Sequence, residues 1–162
     1  MFHFNKESRL GHGLLLAAVV AGAAAFAVPA VAGECPTDQK KPNAREAVDV
    51  EHVGVTDTVI AAIDVSKAPF NIDGRKFRMR KLVVEPGDIV PWHSHADRPA
   101  IIYIVEGEIH EYASNCAVPL VHDAGDVVAE AADVSHWWKN LGDKTVVLLS
   151  ADLPKDMNDH DM

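Results

Sequence analysis

The stretch PWHSHADRPAIIYIVEGEI, residues 91–109, sets His93 and His95 two apart and then runs into an apolar segment that closes on Glu-Gly-Glu. On a β-strand, side chains at i and i+2 leave the same face, so the two imidazoles can bite one ion. Neutral imidazole suits zinc, copper, iron and nickel alike, and the pair alone is equally compatible with two solvated strand histidines.

On either side of this stretch the chain is a series of short β-type runs. They are VEHVGV, TVIAAIDV, KFRMRKLVVE, IVPWHSH, AIIYIVEGEIHEYA, VPLVHD, DVVAEA, SHWWKN and KTVVLLSADL, with almost no helical periodicity. Turn residues separate them at Asp73-Gly74, Pro86-Gly87-Asp88, Glu106-Gly107-Glu108, Gly125-Asp126 and Gly142-Asp143. Many short strands at this spacing predict an all-β sandwich or barrel.

The flanks bound the compartment and the partners. Residues 1–32 read as a signal peptide: Lys6 and Arg9 precede the uncharged run GLLLAAVVAGAAAFAVPAVA, which ends in the small-residue pattern Ala30-Val31-Ala32. The alternative, an uncleaved span, is set against the alanine-richness and Pro29. After cleavage no membrane anchor is expected, and the protein is expected to be periplasmic or secreted. Residues 33–47 then form a polar extension, 48–153 the barrel, and 154–162 an acidic tail expected to fray.

Removing Lys6, Arg9 and Glu7 leaves 13 basic and 23 acidic side chains, a balance that repels phosphate backbones and disfavours nucleic acid. Cys35 and Cys116 are the two cysteines. An oxidising compartment makes a disulfide between them the expectation, with two unpaired thiols as the alternative.

His136, in DVSHWWKN, supplies a third histidine at the start of a strand-like run. Gly87, His93, His95 and Gly107, then Gly125, His136 and Asn140, fall in the order and spacing G-x5-H-x-H-x4-x-x6-G and G-x10-H-x3-N. This arrangement resembles the two motifs of the cupin superfamily, and in particular its small single-domain, quercetin-dioxygenase-like members. The resemblance implies a jelly-roll (double-stranded β-helix) barrel and a metal held by His93, His95 and His136.

Three positions depart from the pattern. The glutamate ligand of the first motif is Ala100, the proline of the second is Ala131 and its glycine is Asp133. The resemblance then implies a neutral three-histidine set with open coordination positions, for which ferrous iron is favoured, with zinc, manganese, nickel or copper as alternatives. The competing reading is a cupin that has lost its metal. Asp97 and Glu108 are weak candidates for a replacement carboxylate.

Alternation sketches the pocket: Ala100, Ile102 and Ile104 on one side, Trp138 and Asn140 on the other, and Arg98 placed to pair with an anionic group. Trp92, Trp137 and Lys139 should face away, covered by the partner sheet or a dimer contact. His52, His110 and His122 read as surface or rim residues, and Met157, His160 and Met162 as a solvated tail. The function expected is an exported metal-dependent, dioxygenase-like oxidoreductase acting on a small organic acid or phenol. The alternative is a non-catalytic metal- or ligand-binding module. A filled cavity at the histidines would count against the enzyme, and exposed strand edges give a reason to expect a homodimer.

Overall fold

The computed structural model describes residues 34–48, 54–70, 72, 74–131 and 134–159. The signal segment, His52, Asp133, His160 and Met162 lie outside the described residues. The strands are β1 Val55–Ile63, β2 Phe77–Val84, β3 Ile89–Ser94, β4 Ala100–Glu106, β5 Glu108–Ala113, β6 Leu120–Asp123, β7 Val127–Glu130, β8 Ser135–Lys139 and β9 Val146–Asp152. They form two antiparallel sheets, β1-β2-β9-β4-β7 and β3-β8-β5-β6, packed face to face as a double-stranded β-helix.

The strict alternation of β2 and β9 explains the packing. Arg78, Arg80, Leu82 and Val84 point inward on β2, and Val146, Leu148, Ser150 and Asp152 on β9. Strand pairing lines them up in rows: Val84 with Val146, Leu82 with Leu148 and Ile104, Arg80 with Ser150 and Ile102, Arg78 with Asp152 and Ala100. The interior therefore grades from an apolar floor, which also holds Val90, Ile109, Val128 and Trp138, to a polar end.

At that polar end Asp152 is a hub. It takes both Nε and Nη2 of Arg78, at 3.0 and 2.7 Å, and lies 3.3 Å from Arg80 and 3.2 Å from Arg98. Such a buried cluster is sustained only because each charge is paired. Arg78 also donates to the carbonyls of Met157 and Asp159, so the tail as far as residue 159 is tied to the barrel rather than frayed.

The opposite flank is held by the Cys35–Cys116 disulfide, with Cα atoms 5.7 Å apart. Around it the extension pairs with the β5–β6 loop through Lys41 to Asn115, Ala44 to Ser114 and Ala117 to Gln39. Trp137 faces out of the barrel, where its ring stacks on Tyr112 at 3.9 Å and Arg45 covers Tyr112 in turn. Within the chain, its cover comes from the neighbouring strand β5 and the extension.

Two local features set the register. Gly107 joins β4 to β5 at φ 84°, and a Cβ there would lie 2.9 Å from Val146, so no other residue fits without displacement. On β3, Val90 pairs with Trp138 but His93 pairs with His136, so Pro91 and Trp92 together oppose Trp137 alone. This β-bulge lets Val90, His93 and His95 all face the interior although 90 and 93 differ in parity.

Candidate metal centre

β3, the turn after it and β8 bring His93, His95 and His136 together, with His95 and His136 buried and His93 half-buried. Their Nε2 atoms form a triangle with sides of 3.0, 3.0 and 3.0 Å. The other ring nitrogen of each meets an acceptor: Nδ1 of His93 lies 2.8 Å from the Pro91 carbonyl, Nδ1 of His95 is 2.9 Å from the Arg98 carbonyl, and Nδ1 of His136 is 2.7 Å from Glu111 Oε1. Carbonyls and carboxylates only accept, so each Nδ1 carries the proton. Each Nε2 then presents a lone pair to the other two, and none can hydrogen-bond its neighbours. Trp138 Nε1 also approaches His136 Nδ1 at 3.2 Å, which with this tautomer is a contact and not a second bond.

Three converging lone pairs are a donor set for a cation. Two nitrogens at right angles around one ion, each ~2.1 Å away, sit ~3 Å apart, against ~3.4 Å at the tetrahedral angle. The triangle fits one face of an octahedron, and the residues present therefore fit a divalent metal. Burial first, and the neighbouring His136 second, lower the pKa of His93 to about 2 and of His95 to about 4, so both stay neutral as ligands must.

Behind His136 lies a carboxylate layer that the sequence reading did not find. Glu111 on β5 receives His136 through Oε1 and His122 through Oε2, at 2.7 and 2.9 Å. Glu130 on β7 lies 3.4 Å from His136 Nδ1 and opposite Ala100 in the strand pairing. Glu111, Glu130 and His136 also form a compact acid–histidine group of their own. Burial pushes the Glu111 carboxyl up, but the hydrogen bonds from His122 and His136 outweigh it and hold its pKa at about 2. Burial raises Glu130 to about 7, His136 opposing and Glu111 adding to the rise.

His122 is fully buried and stacked on Trp138 at 4.8 Å, so it is neither a surface nor a rim residue. His110 pairs with Glu108 at 3.1 Å, which leaves Glu108 away from the histidine triad. Asp97 is likewise engaged elsewhere, with Arg75 at 2.6 Å and Lys155 at 3.1 Å.

Beside the triad is a cavity of about 20 Å³ lined by His93, His95 and Trp138 on one side and by Arg80, Leu82, Ile102, Leu148 and Ser150 on the other, with Val90. Of the residues expected to form the pocket, Ile102 and Trp138 do. Ile104 lies one row deeper, in the apolar floor. Ala100 lies one row towards the polar end, and Arg98 is turned into the Asp152 hub. Asn140 braces a turn, donating to the carbonyls of Val84 and Lys144 and accepting from Gly142 N–H. Arg80 and Ser150 take the polar role instead. Both sit in strands whose alternation, R-x-R-x-L-x-V and V-x-L-x-S-x-D, already places them inward.

Residues 80–152 match the family described as Cupin domain. Among solved structures, a double-stranded β-helix protein from Klebsiella pneumoniae subsp. pneumoniae MGH 78578 is 15% identical with a TM-score of 0.52, covering 68% of this chain and 85% of that one. A sugar phosphate isomerase of the cupin superfamily from Silicibacter pomeroyi DSS-3 is 21% identical with a TM-score of 0.44, over 51% of this chain and 60% of that one. An oxalate oxidase bound to the substrate analogue glycolate is 21% identical with a TM-score of 0.49, over 64% of this chain and 52% of that one. The chain thus spans little more than half the length of the two enzymes. No curated protein matches the chain significantly. Identities this low speak to the fold alone.

Proposed function

We propose that the chain, whose residues 80–152 match the Cupin domain family, is a cupin and an exported metal-dependent oxidoreductase in which His93, His95 and His136 hold a divalent ion, ferrous iron being favoured. The observation that carries the reading is the triangle of three Nε2 lone pairs with every Nδ1 tied to an acceptor. When bound, such an ion supplies Lewis acidity and, if iron, one-electron chemistry. Ala100, at the position of the family's glutamate, leaves the ligand set neutral, so the ion keeps its full charge.

The protein's own contribution is to fix the imidazoles, keep His93 and His95 unprotonated and surround the ion with an apolar wall of Leu82, Val90, Ile102, Trp138 and Leu148. The cavity also limits the ligand. Pockets for drug-sized molecules run to roughly 300–1,000 Å³, so a phenolic substrate does not fit inside about 20 Å³. The chemistry concerns a small ligand that reaches the centre past half-buried His93. Export is supported by the N-terminal sequence pattern and accords with the disulfide.

The same small cavity supports a second reading, a cupin that binds metal without turnover. Metal analysis of protein purified without added metal, beside His95→Ala, tests the site: equal metal content in the two sinks it. Oxygen uptake by the iron-loaded chain with small acids then separates the readings, since turnover supports the oxidoreductase and silence across the set supports the binder.

A further inference from the structure

We infer that the cavity beside the three histidines is a receptor for one small anion, a carboxylate or inorganic oxyanion of a few heavy atoms, held between the metal and a donor pair formed by Arg80 and Ser150. The inference rests on the metal reading above and adds the ligand class to it.

Arg80 and Ser150 are cross-strand partners on β2 and β9, 3% and 2% exposed, on the wall facing the histidines. Arg80 Nη1 is bound to Asp57 at 2.8 Å and Nη2 lies 3.3 Å from Asp152, which fixes the guanidinium plane. Its Nε–H and the Ser150 hydroxyl are both buried without a hydrogen-bond partner among the described residues. Buried polar atoms are almost always paired, and two adjacent ones on the wall of one cavity ask for a single acceptor-rich ligand. An arginine N–H can only donate, and a serine hydroxyl can turn to donate beside it.

Charge points the same way. Among the described residues none that lines the cavity is acidic, and Glu111 and Glu130 contact His136 at Nδ1, away from its Nε2. Three neutral imidazoles leave a divalent ion its two positive charges, and Arg80 faces it across an apolar box in which attraction for an anion is little screened. Size then narrows the class. On a measure where about 10–15 Å³ holds one water, about 20 Å³ leaves room only for an anion of very few atoms, for which formate, nitrite and azide are the probes. The competing occupant is a water molecule bridging Arg80, Ser150 and the ion.

The test uses the full chain loaded with cobalt(II) and titrated with formate, nitrite and azide. It reads cobalt absorption together with Trp138-dominated fluorescence changes, and metal content is measured for every sample. Saturable anion binding that weakens roughly ten-fold in Ser150→Ala, about the value of one hydrogen bond to a charged partner, at unchanged cobalt content is the expected result. Arg80→Lys, which keeps the charge but loses Nε–H, should weaken it similarly; Ser150→Ala keeps the test valid if that variant does not fold. Unchanged affinity in Ser150→Ala, or no anion response from the cobalt-loaded chain, overturns the inference in favour of a bridging water. If the chain retains no cobalt, the metal reading fails separately. The fluorescence titration of metal-free protein then decides the donor pair alone: Ser150-dependent binding supports it and none overturns it.

Discussion

Replacing Glu111 by glutamine should separate the electrostatic role of that carboxylate from its structural one. Glu111 accepts from His136 Nδ1 at 2.7 Å and from His122 Nε2 at 2.9 Å, and is 3% exposed. Truncation to alanine leaves both donors buried and unpaired, at about 1–3 kcal/mol each, so Glu111→Ala should lose about 2–6 kcal/mol of stability. Glutamine keeps an acceptor for His136. Its amide would meet the N–H of His122, but His122 Nδ1 has no partner, so that ring can move its proton to Nδ1 and accept through Nε2. Glu111→Gln should therefore cost only about 1 kcal/mol in a denaturant titration. Metal affinity should fall far more, because the anion that makes His136 a stronger donor is gone. Loss of such an outer partner typically costs about 10–100-fold, or about 1.4–2.7 kcal/mol. Competition against a chelator of known affinity measures this directly. A folded Glu111→Gln protein with unchanged metal affinity would refute the reasoning.

Acid should destabilise the metal-free protein. His93 and His95 have pKa values lowered from 6.5 to about 2 and about 4, so below pH ~6.5 the unfolded chain binds more protons and stability is lost as pH falls, by up to about 1.4 kcal/mol per pH unit for each. Glu130 has the opposite sign: raised from 4.5 to about 7, its contribution is present below 4.5 and lost as pH rises through 7. Glu130→Gln should accordingly steepen the loss between pH 6.5 and 4.5 in chelator-treated samples, and an unaltered slope would count against the assignment. Reducing the disulfide, which spans a sequence separation of 81, should lower stability by about 4 kcal/mol in denaturant while the metal content stays. Asp152→Ala should cost about 3–5 kcal/mol by removing the buried carboxylate that Arg78, Arg80 and Arg98 share, seen as a large drop in unfolding midpoint.

The meeting of the three histidines was legible in the sequence because spacing carried it: two histidines at i and i+2, and a third placed by glycines in a known order. The β architecture was legible from turn residues and alternation. The carboxylate layer was not, although EIHEYA alternates Ile109, Glu111 and Ala113 inward. A glutamate between polar neighbours is ordinarily solvated, and nothing local announces that His136 and His122 will meet it. Arg98 was misplaced for a related reason. Its position after the HxH pair suits an open loop, and only the far end of β9, more than fifty residues later, brings the Asp152 that draws it away. Arg80 and Ser150 were within reach had the alternation of β2 and β9 been followed to their polar ends.

The β-bulge on β3 carries a lesson about length. Strand chemistry is read modulo two, and Pro91 and Trp92 opposing a single residue shift the count by one between Val90 and His93. Pairing the strand without the bulge, both residues kept, would leave every ligand candidate in the chain yet turn His93 and His95 towards solvent and Trp92 and Ser94 into the barrel, whereas deleting one of the two would restore plain alternation and keep the histidines inward. The centre is thus encoded partly by a two-residue step in the strand, one member of which, Pro91, also offers the carbonyl that holds His93 Nδ1.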